Sequence, residues 1–473
     1  MVVGEVAVEV DTVVVGGGPG GYTAAIRLGQ LGKSVVLIEK NQLGGVCLNR
    51  GCIPSKALIQ MAEKFDELTH LKEMGVELPG KPASIDLHKW QKWKQEITTK
   101  LNTGIHQLCQ QNGVTVVTGE AHFLSSHRVG VETGNAFDVY KFEHAIVATG
   151  SSPRSLPFAE VDHTYILDST SALELTEVPR SLSIVGGGYI GMELGLAFAK
   201  LGSAVTIVEM SPHILPATAP HISREVLKKA EKLGVTIKSS TSVEHLTVND
   251  GYVELIVQSN GEQETLQSEK ALMTVGRSPN TKGLGLEQVG VFFNEDGTLP
   301  INEECRTNID HIFAIGDVTE GPALAHKASK QGIVAAEVIG GLPSAIDSSY
   351  IPYVVFTDPQ IAGVGLTAKQ AQEQGHRVKT ARFPFQANGL ALVASKPDGF
   401  AEVIVDEESH LLLGFHIVGA DASNLIGEGV LALELGARVE DVALTVHPHP
   451  TFSEGWLGAA EAALGHAIHV VNK

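Results

Sequence analysis

One internal repeat constrains this chain more than any other feature of its sequence. The segment VVVGGGPGGYTAAIRLGQLGKSVVLIEK, which begins at Val13, recurs as LSIVGGGYIGMELGLAFAKLGSAVTIVEM around residues 182–210. Each copy predicts an apolar strand, a glycine-rich turn, a helix and a second strand that ends in an acid. The copies align without a gap, and the paired positions are Gly16 and Gly186, Gly18 and Gly188, Gly21 and Gly191, Gly32 and Gly202, and Glu39 and Glu209. The duplication predicts two separate nucleotide-binding domains in an α/β protein.

The residue types of the first copy suit the binding of a pyrophosphate. Gly16 and Gly18 let the backbone turn and approach phosphate oxygens, and Gly21 lets the helix pack closely on the strand. Phosphates would lie at the N-terminus of a helix over residues 20–30, where free N–H groups favour anions. Glu39 would accept hydrogen bonds from ribose hydroxyls. A glycine-rich turn without a ligand is the alternative, and the presence of two matching copies disfavours it.

Glu209 holds the place of Glu39 in the second copy. A carboxylate there binds a ribose 2′-hydroxyl but repels a 2′-phosphate, so we expect the second site to prefer NAD over NADP.

A close pair of cysteines lies between the two copies, in GGVCLNRGCIPSK over residues 44–56. In an ideal helix, the spacing of Cys47 and Cys52 puts their Cα atoms roughly 8–9 Å apart, beyond the usual ~4.4–6.8 Å of a disulfide. A bond between them therefore needs a distorted segment, which Gly51 permits, and we expect it to be strained and reducible. The dipole of a helix opened by Pro54 would stabilise a Cys52 thiolate. Metal binding is the weaker alternative, because no second pair with ligand spacing follows. A pair of unrelated buried thiols is the other alternative, and we expect Cys109 and Cys305 to be inert.

The remaining chain predicts regular structure with short connections. Helices are expected over 55–73 after Pro54 and over roughly 87–111, where Asp86 would form the N-cap. Residues 114–148 and 235–275 alternate as strands do, and residues 276–345 combine helix and strand. A strand-rich region follows from about 350, with helices at 423–436 and near 454–468. This tail is typical of a separate α+β domain.

Composition excludes several functions. The net charge of −19 disfavours a nucleic-acid partner, and no apolar run is long enough to span a membrane. Four cysteines in 473 residues do not make a secreted disulfide scaffold. The N-terminus carries no basic targeting segment, so we expect a cytoplasmic protein.

Taken together, these motifs resemble the FAD-dependent pyridine nucleotide–disulfide oxidoreductases over essentially the whole chain. The motifs that carry the resemblance, in order, are GGGPGG, GGVCLNRGCIPSK, ATGS (148–151), GGGYIGMELG (186–195), GRSPNT (276–281), TNIDHIFAIGDV (307–318) and HPHPTFSE (447–454). Within the family, the sequence between and after the cysteines is most similar to members that oxidise dihydrolipoamide. The resemblance implies a glutathione-reductase-like architecture: two Rossmann-like dinucleotide-binding domains and a C-terminal α+β dimerisation domain. The expected bounds are 1–150 for FAD binding, 151–275 for NAD binding, 276–345 for a central domain completing the FAD site, and 346–473 for the dimer interface.

The resemblance also implies roles for individual residues. Lys56 and Glu193 would form an ion pair beside the flavin, and Asp317 would bind the flavin ribitol. Further FAD contacts are expected from Lys40, Ala121, Thr149, Gly150, Ser151, Ala325 and His326. Contacts with the second dinucleotide are expected from Ile190, Val243 and Gly276. Tyr189 is expected either to gate the nicotinamide pocket or to pack on the flavin. No metal is expected.

His449 and Glu454 are implied as a catalytic base and the carboxylate that orients it. A dithiol is mostly protonated at neutral pH, and a histidine can accept its proton while a carboxylate fixes the tautomer. His447 is the rival, and we expect it to support structure. Proline on both sides of His449 limits its backbone, and the resemblance predicts a cis bond to Pro450.

The implied reaction passes electrons from dihydrolipoamide to Cys47, the interchange thiol, then through Cys52 and FAD to NAD⁺. The implied partners are a second copy of the chain, which would supply His449, and the lipoyl and subunit-binding domains of an E2 acyltransferase. Two alternatives stay open: a reductase of another disulfide such as glutathione, and a flavoprotein that serves as a non-catalytic binding subunit.

Overall fold

The computed structural model describes residues 7–77, 83–134, 136–347 and 349–472. Residues 1–6 and Lys473, at the outer bounds of the first and last predicted domains, lie outside this description. The described strands, in chain order, are β1 (Ala7–Val15), β2 (Val35–Glu39), β3 (Val114–Thr118), β4 (Glu120–Ser125), β5 (Arg128–Thr133), β6 (Ala136–Val147), β7 (Ser151–Pro153), β8 (Ile166–Leu167), β9 (Ser181–Val185), β10 (Ala204–Val208), β11 (Thr236–Lys238), β12 (Ser242–Asn249), β13 (Tyr252–Ser259), β14 (Glu262–Ser268), β15 (Lys270–Met273), β16 (Arg277–Pro279), β17 (Ile312–Ala314), β18 (Tyr353–Val355), β19 (Gln360–Gly365), β20 (Val378–Pro384), β21 (Phe400–Asp406) and β22 (Leu412–Gly419). The described α-helices are α1 (Pro19–Gln30), α2 (Gly45–Arg50), α3 (Cys52–His70), α4 (Leu87–Gln111), α5 (Ser169–Ala172), α6 (Tyr189–Lys200), α7 (Pro220–Lys232), α8 (Ala325–Ile339), α9 (Ala368–Glu373), α10 (Gly389–Val393), α11 (Ala422–Glu434), α12 (Val439–Leu444) and α13 (Glu454–Leu464).

The first sheet is built around the first glycine-rich repeat. Its strand order is β3-β2-β1-β6-β5-β4, and β17 pairs with β6 in parallel. The strands of the repeat, β1 and β2, are parallel neighbours at its centre and are almost wholly apolar and buried where they pair. Helix α8 packs on α1 through a shared apolar core. The 276–345 region, expected as a central domain, thus contributes a strand and a helix to the first unit.

The second sheet repeats the plan with fewer strands. Its order is β11-β10-β9-β15-β8, and all of its pairs are parallel. The strands expected over 235–275 are present, but only β11 and β15 join this sheet. Strands β12, β13 and β14 instead form a separate antiparallel sheet of three strands.

The tail folds into an antiparallel sheet of order β18-β19-β22-β21-β20. Helices α11 and α13 cover it, and their apolar faces share its core. The helices expected at 423–436 and 454–468 match α11 and α13 closely. The His449–Pro450 bond is cis, as predicted, and the Asp358–Pro359 bond is also cis, which the sequence analysis missed.

Local sequence signals predicted the first residue of one helix correctly and that of another helix incorrectly. Helix α4 begins after Asp86, whose side chain accepts from the Lys89 amide at 3.0 Å, so the predicted cap is confirmed. The helix expected to begin after Pro54 instead begins at Cys52. Proline is tolerated in a first turn, because the first N–H groups of a helix have no partner within it. Among the described helices, none is both long enough and apolar enough to cross a membrane.

Candidate active site

A cavity of about 1510 Å³ lies between the first and second units. It is large enough for a dinucleotide, and its walls come from α1, α2, α3, α6 and the turns that follow β2, β6 and β17. The cavity brings together most of the residues expected to bind FAD or to carry the redox chemistry: Gly16, Gly18, Glu39, Lys40, Cys47, Cys52, Lys56, Ala121, Thr149, Gly150, Ser151, Glu193, Asp317 and Ala325. Ile190, expected to contact the second dinucleotide, also lines it.

The first glycine turn has the shape of a phosphate cradle. Gly16 has φ +105°, and a Cβ there would come within 2.3 Å of the Ala148 carbonyl oxygen. A Cβ on Gly21 would lie 1.8 Å from the Gly16 carbonyl oxygen, so helix and turn meet at backbone distance. Gly18 faces open space, and no side chain in the described part of the chain caps the N-terminus of α1. The unsatisfied N–H groups therefore point at a space that pyrophosphate oxygens fit.

The acid that ends β2 and the acid that directly follows β10 make the same contacts in the two copies. Glu39 accepts from the Gly17 amide at 2.7 Å and the Asn41 amide at 2.8 Å. Glu209 accepts from the Gly187 amide at 2.6 Å and the Ser211 amide at 2.7 Å. A carboxylate has about four acceptor positions. Each acid therefore orients its own glycine turn and keeps capacity for ribose hydroxyls.

Gly51 separates the two cysteines into two helices. Cys47 lies in α2, and Cys52 is the first residue of α3. The chain turns sharply at Gly51, with φ −135° and ψ −104°, so the cysteines do not follow one continuous helix. Both line the cavity, and the strain expected of a disulfide between them stays a prediction.

The two thiols are electrostatically unequal. Cys47 donates a hydrogen bond to Cys52, and this bond, together with the charge of Lys56, lowers the pKa of Cys52 to about 7. The same hydrogen bond, with burial, raises the pKa of Cys47 well above its ordinary value. Cys52 therefore ionises at a lower pH than Cys47 does. The other cysteines are buried, and burial raises the pKa of Cys109 to about 11 and of Cys305 to about 12, as expected for inert thiols.

The expected ion pair beside the cysteines is formed. Lys56 lies one turn after Cys52 on α3, and its Nζ donates to Glu193 Oε2 at 2.8 Å. The side chain of Glu193 is only 4% exposed, and its other oxygen accepts from the Phe356 amide at 2.8 Å. The ring of Phe356 lies under the Lys56 ammonium, 4.3 Å from Nζ to the centroid. Phe356, which directly follows β18, was not predicted, because no local sequence motif marks it.

Arg277, a residue that was not predicted, lies beside the expected pair of Ser151 and Asp317. Ser151 Oγ donates to Asp317 Oδ2 at 2.5 Å. Arg277 holds Ser151 from the other side, with Nε at 2.7 Å from its hydroxyl and Nη2 at 2.5 Å from its carbonyl oxygen. Arg277 lies in the GRSPNT motif, so the sequence contained a signal for it. Only β16 pairing with β7 shows what it contacts.

His449 and Glu454 interact as expected, but they do not line the cavity that holds the cysteines. His449 Nδ1 lies 2.8 Å from Glu454 Oε1, and the other carboxylate oxygen accepts from the Thr451 amide at 2.9 Å. Although burial opposes it, hydrogen bonds from His449 and Thr451 lower the pKa of Glu454. The imidazole is 76% exposed, so its free nitrogen is available to another molecule.

His447 is held within the tail. Its Nε2 lies 2.8 Å from Glu428 Oε1, its Nδ1 lies 2.9 Å from the Thr445 carbonyl oxygen, and its side chain is 3% exposed. The hydrogen bond with Glu428 raises the pKa of His447. These contacts agree with the supporting role expected for it.

The remaining expected contact residues lie outside this cavity. Gly186, Gly188, Gly191 and Glu209 form the second turn, away from the cavity wall. Val243 packs in the core beneath β12 to β14, and Gly276 adopts φ +109° before β16. His326 also lies outside the wall, and its Nε2 contacts the Pro352 carbonyl oxygen at 2.7 Å.

Comparison with known proteins agrees with this geometry. Residues 10–332 match the model for pyridine nucleotide-disulphide oxidoreductases, and residues 351–460 match the dimerisation domain of these enzymes. The chain belongs to the pyridine nucleotide-disulphide oxidoreductase family. The family expected from the sequence is therefore confirmed, and so is the fold class.

Two curated relatives match this family member over their full length. Proteins named dihydrolipoyl dehydrogenase from Geobacillus stearothermophilus and Halobacterium salinarum are 46% and 47% identical, and each alignment covers 100% of both chains. Among solved structures, LpdA from Mycobacterium tuberculosis has a TM-score of 0.90 at 27% identity, covering 96% of this chain and 99% of that one. The HOCl-induced flavoprotein disulfide reductase RclA from Escherichia coli has a TM-score of 0.84 at 28% identity, covering 95% of this chain and 99% of that one.

Proposed function

We propose that this protein is a dihydrolipoyl dehydrogenase, which oxidises protein-bound dihydrolipoamide and reduces NAD⁺. The observation that carries the proposal is a close cysteine pair, Cys47 and Cys52, which lines the same cavity as a pyrophosphate cradle and the Lys56–Glu193 ion pair. The two full-length relatives named dihydrolipoyl dehydrogenase support the choice of substrate.

FAD fits the cavity, and when bound it supplies two-electron transfer between the thiol pair and the nicotinamide. Gly16, Gly18 and the N-terminus of α1 would hold its pyrophosphate, and Glu39 its adenosine ribose. Asp317, fixed by Ser151, would accept from its ribitol. Lys56 would place a positive charge beside the reacting ring. The protein's part is to bind, orient and set charges.

The substrate half of the reaction is thiol–disulfide exchange. In the oxidised protein, a thiolate of dihydrolipoamide attacks the Cys47 sulfur, and Cys52 leaves as a thiolate. The second substrate sulfur then attacks the mixed disulfide, so that lipoamide leaves and Cys47 takes up a proton. Lys56 stabilises the Cys52 thiolate, because its charge lowers the pKa of that thiol. In the reduced pair that results, Cys47 donates a hydrogen bond to Cys52.

His449 would be the base that takes the proton from the substrate thiol. Glu454 contacts its Nδ1 at 2.8 Å, which leaves Nε2 as the working nitrogen and stabilises the imidazolium. His449 lies in the dimerisation domain, outside the cysteine cavity of its own chain. Both facts support a dimer in which each subunit supplies the histidine for its partner's cysteines.

NAD⁺ would bind at the second glycine turn, with Glu209 on its ribose. The oxygens of Glu209 lie 2.6–2.7 Å from two backbone amides, so the carboxylate is fixed where a 2′-phosphate would have to lie. The lipoyl and subunit-binding domains of an E2 acyltransferase are the partners proposed for this reaction. A cytoplasmic location stays a prediction.

The decisive experiment measures NADH formation from dihydrolipoamide by the purified yellow protein, with NAD⁺ and NADP⁺ compared side by side. We expect rapid turnover that strongly prefers NAD⁺. The Cys47→Ser variant should keep its FAD and lose this activity, whereas Cys109→Ser is the matched control and should keep both. Failure with dihydrolipoamide, together with NAD(P)H-dependent reduction of another disulfide, would keep the family and overturn the substrate.

A further inference from the structure

The ion pair beside the cysteines has a third member, and that member comes from the dimerisation domain. Phe356 touches both charged partners, its ring facing the ammonium of Lys56 and its amide bound to Glu193 at 2.8 Å. Lys56 belongs to the first unit, Glu193 to the second and Phe356 to the dimerisation domain. Residues from three parts of the fold therefore meet at the Lys56 ammonium. We propose that Phe356 is a positioning residue, which holds the Lys56 ammonium against Cys52 and thereby stabilises the Cys52 thiolate.

The geometry of the contact is that of a cation–π interaction. The distance of 4.3 Å from Nζ to the ring centroid is well inside the range of about 6 Å in which the face of an aromatic ring attracts a cation. The lysine side chain is 31% exposed, so water does not fully screen it. Because a lysine has a long, flexible stem, a fixed charge needs more than one contact to hold it. Glu193 attracts the ammonium toward α6, and the ring limits where it can move.

The ring itself is firmly anchored. The residues on either side of Phe356, Val355 and Thr357, are buried. Thr357 donates to the Pro359 carbonyl oxygen at 2.8 Å. Asp358 binds the buried Lys200 at 2.6 Å and Lys229 at 3.3 Å. The segment is therefore fixed on both sides of the ring.

The ionisable groups that face Cys52 and Lys56 come from two other helices, α2 and α6. Cys47 lies on α2, and Glu193 and Tyr189 lie on α6. The segment around Phe356 adds Asp358, which Lys200 and Lys229 already pair. Lys56 is the cation of this group that lowers the pKa of Cys52. If Lys56 moves away from Cys52, the pKa of Cys52 should therefore rise.

The test measures the Cys52 thiolate directly in the FAD-loaded protein, without dithiol or NAD⁺. The Cys47→Ser background leaves Cys52 as the single thiol lining the cavity. A thiolate held beside the bound flavin would give a long-wavelength absorbance that can be titrated with pH. In this background, Phe356→Leu removes the ring and keeps the amide that binds Glu193. We expect the titration midpoint to rise by about half to one pH unit.

Four further variants test whether the ring of Phe356 changes the titration midpoint of Cys52 by positioning Lys56. Phe356→Met, which keeps the volume, should shift the midpoint like leucine, and Phe356→Tyr, which keeps the ring, should restore it. In a Lys56→Met background, Phe356→Leu should cause no further shift. Tyr165→Leu is the matched control, because Lys270 also lies over that ring, at 5.6 Å, in the second unit. It should leave the midpoint unchanged.

Three results would overturn the proposal. An unchanged midpoint in the leucine and methionine variants would show that the ring does not position the lysine. An equal shift in the tyrosine variant would show that the aromatic face is not what matters. Loss of FAD from both ring-less variants would assign Phe356 to the folding of the cavity. The inference rests on the proposed role of Cys52 as thiolate, but not on the substrate, so failure of dihydrolipoamide as substrate would leave this test intact.

Discussion

The two glycine-rich turns are nearly identical in sequence but lie in different surroundings. In the first, α1 packs against α8 at backbone distance: a Cβ on Gly20 would meet the Ala328 carbonyl oxygen at 3.0 Å. In the second, Ile190 takes the place of Gly20, and α6 packs instead on α3 through an apolar core. The first turn lines the large cavity, whereas Gly186 and Gly188 of the second lie outside it.

The two turns also differ at their edges. Pro19 opens α1, but its counterpart Tyr189 is 43% exposed at the start of α6 and lines the cavity. Met210, which follows Glu209, is 77% exposed. The same glycine-rich motif therefore forms part of an enclosed site in the first unit and of a more open site in the second. This difference suits a first dinucleotide that stays bound and a second that exchanges in each catalytic cycle.

The largest expected effect comes from adding one methyl group to the third glycine of either turn. A Cβ on Gly21 would lie 1.8 Å from the Gly16 carbonyl oxygen, and one on Gly191 would lie 2.1 Å from that of Gly186. Gly21→Ala should give colourless protein that is destabilised by about 3 kcal/mol or more, because α1 is packed against α8 and cannot move away from the new methyl group. Gly191→Ala should keep its flavin absorbance and lose NADH binding. Equal loss of FAD from both variants would contradict the division of roles.

A smaller effect is expected at the acids. Glu209→Ala should lower the ratio of kcat/KM for NAD⁺ over NADP⁺ by about 10–100-fold, since it removes a charged hydrogen-bond partner of the ribose. Glu209→Gln keeps an acceptor for the Gly187 amide, so a similar loss in that variant assigns the effect to charge. Glu39→Ala should leave the ratio unchanged and weaken FAD binding. An unaltered ratio in Glu209→Ala would refute its role.

A fall in pH should slow the reaction with dithiol at the cysteines but not the reaction with NADH at the second glycine turn. The pKa of Cys52 is lowered to about 7, so its thiolate is present above that pH and is lost as the pH falls through it. Below pH 7, dithiol-dependent flavin reduction should therefore slow by about tenfold per pH unit. Stopped-flow absorbance measures this rate. NADH-dependent reduction of an artificial acceptor does not use the thiols and should show no such slope, and a common slope would contradict the separation.

The smallest effect is expected at Tyr189, between the two sites. If the side chain gates the second site, Tyr189→Ala should change KM for NAD⁺ by less than about tenfold and leave FAD bound. Tyr189→Phe keeps the ring and should behave as the unaltered protein. Loss of FAD from the alanine variant, measured by flavin fluorescence, would instead indicate a ring that packs on the flavin.

Local sequence patterns predicted much of this molecule. The repeat located both turns and both acids, and Asp86 correctly marked the start of α4, because a cap depends on residues three positions apart. The residues of the expected FAD site mostly line one cavity, since they follow parallel strands whose carboxyl ends meet at one edge of a sheet.

Contacts between distant segments could not be predicted in this way. Phe356 meets Lys56 from 300 positions away along the chain, and Arg277 holds Ser151 across 126 positions. Neither residue carries a local pattern that specifies its partner. The position of His449 outside its own cysteine cavity is likewise a property of how the tail folds on the rest.

The sequence by itself determined the conformation of each turn and the acid that supports it, because these depend on glycine φ angles and on short-range hydrogen bonds. Only the tertiary structure decided which turn is enclosed. Strand β17 and helix α8 follow the second copy in the chain, yet β17 pairs in the first sheet and α8 packs on α1. That choice rests on the burial of apolar surface between segments far apart in the chain, which no local pattern records.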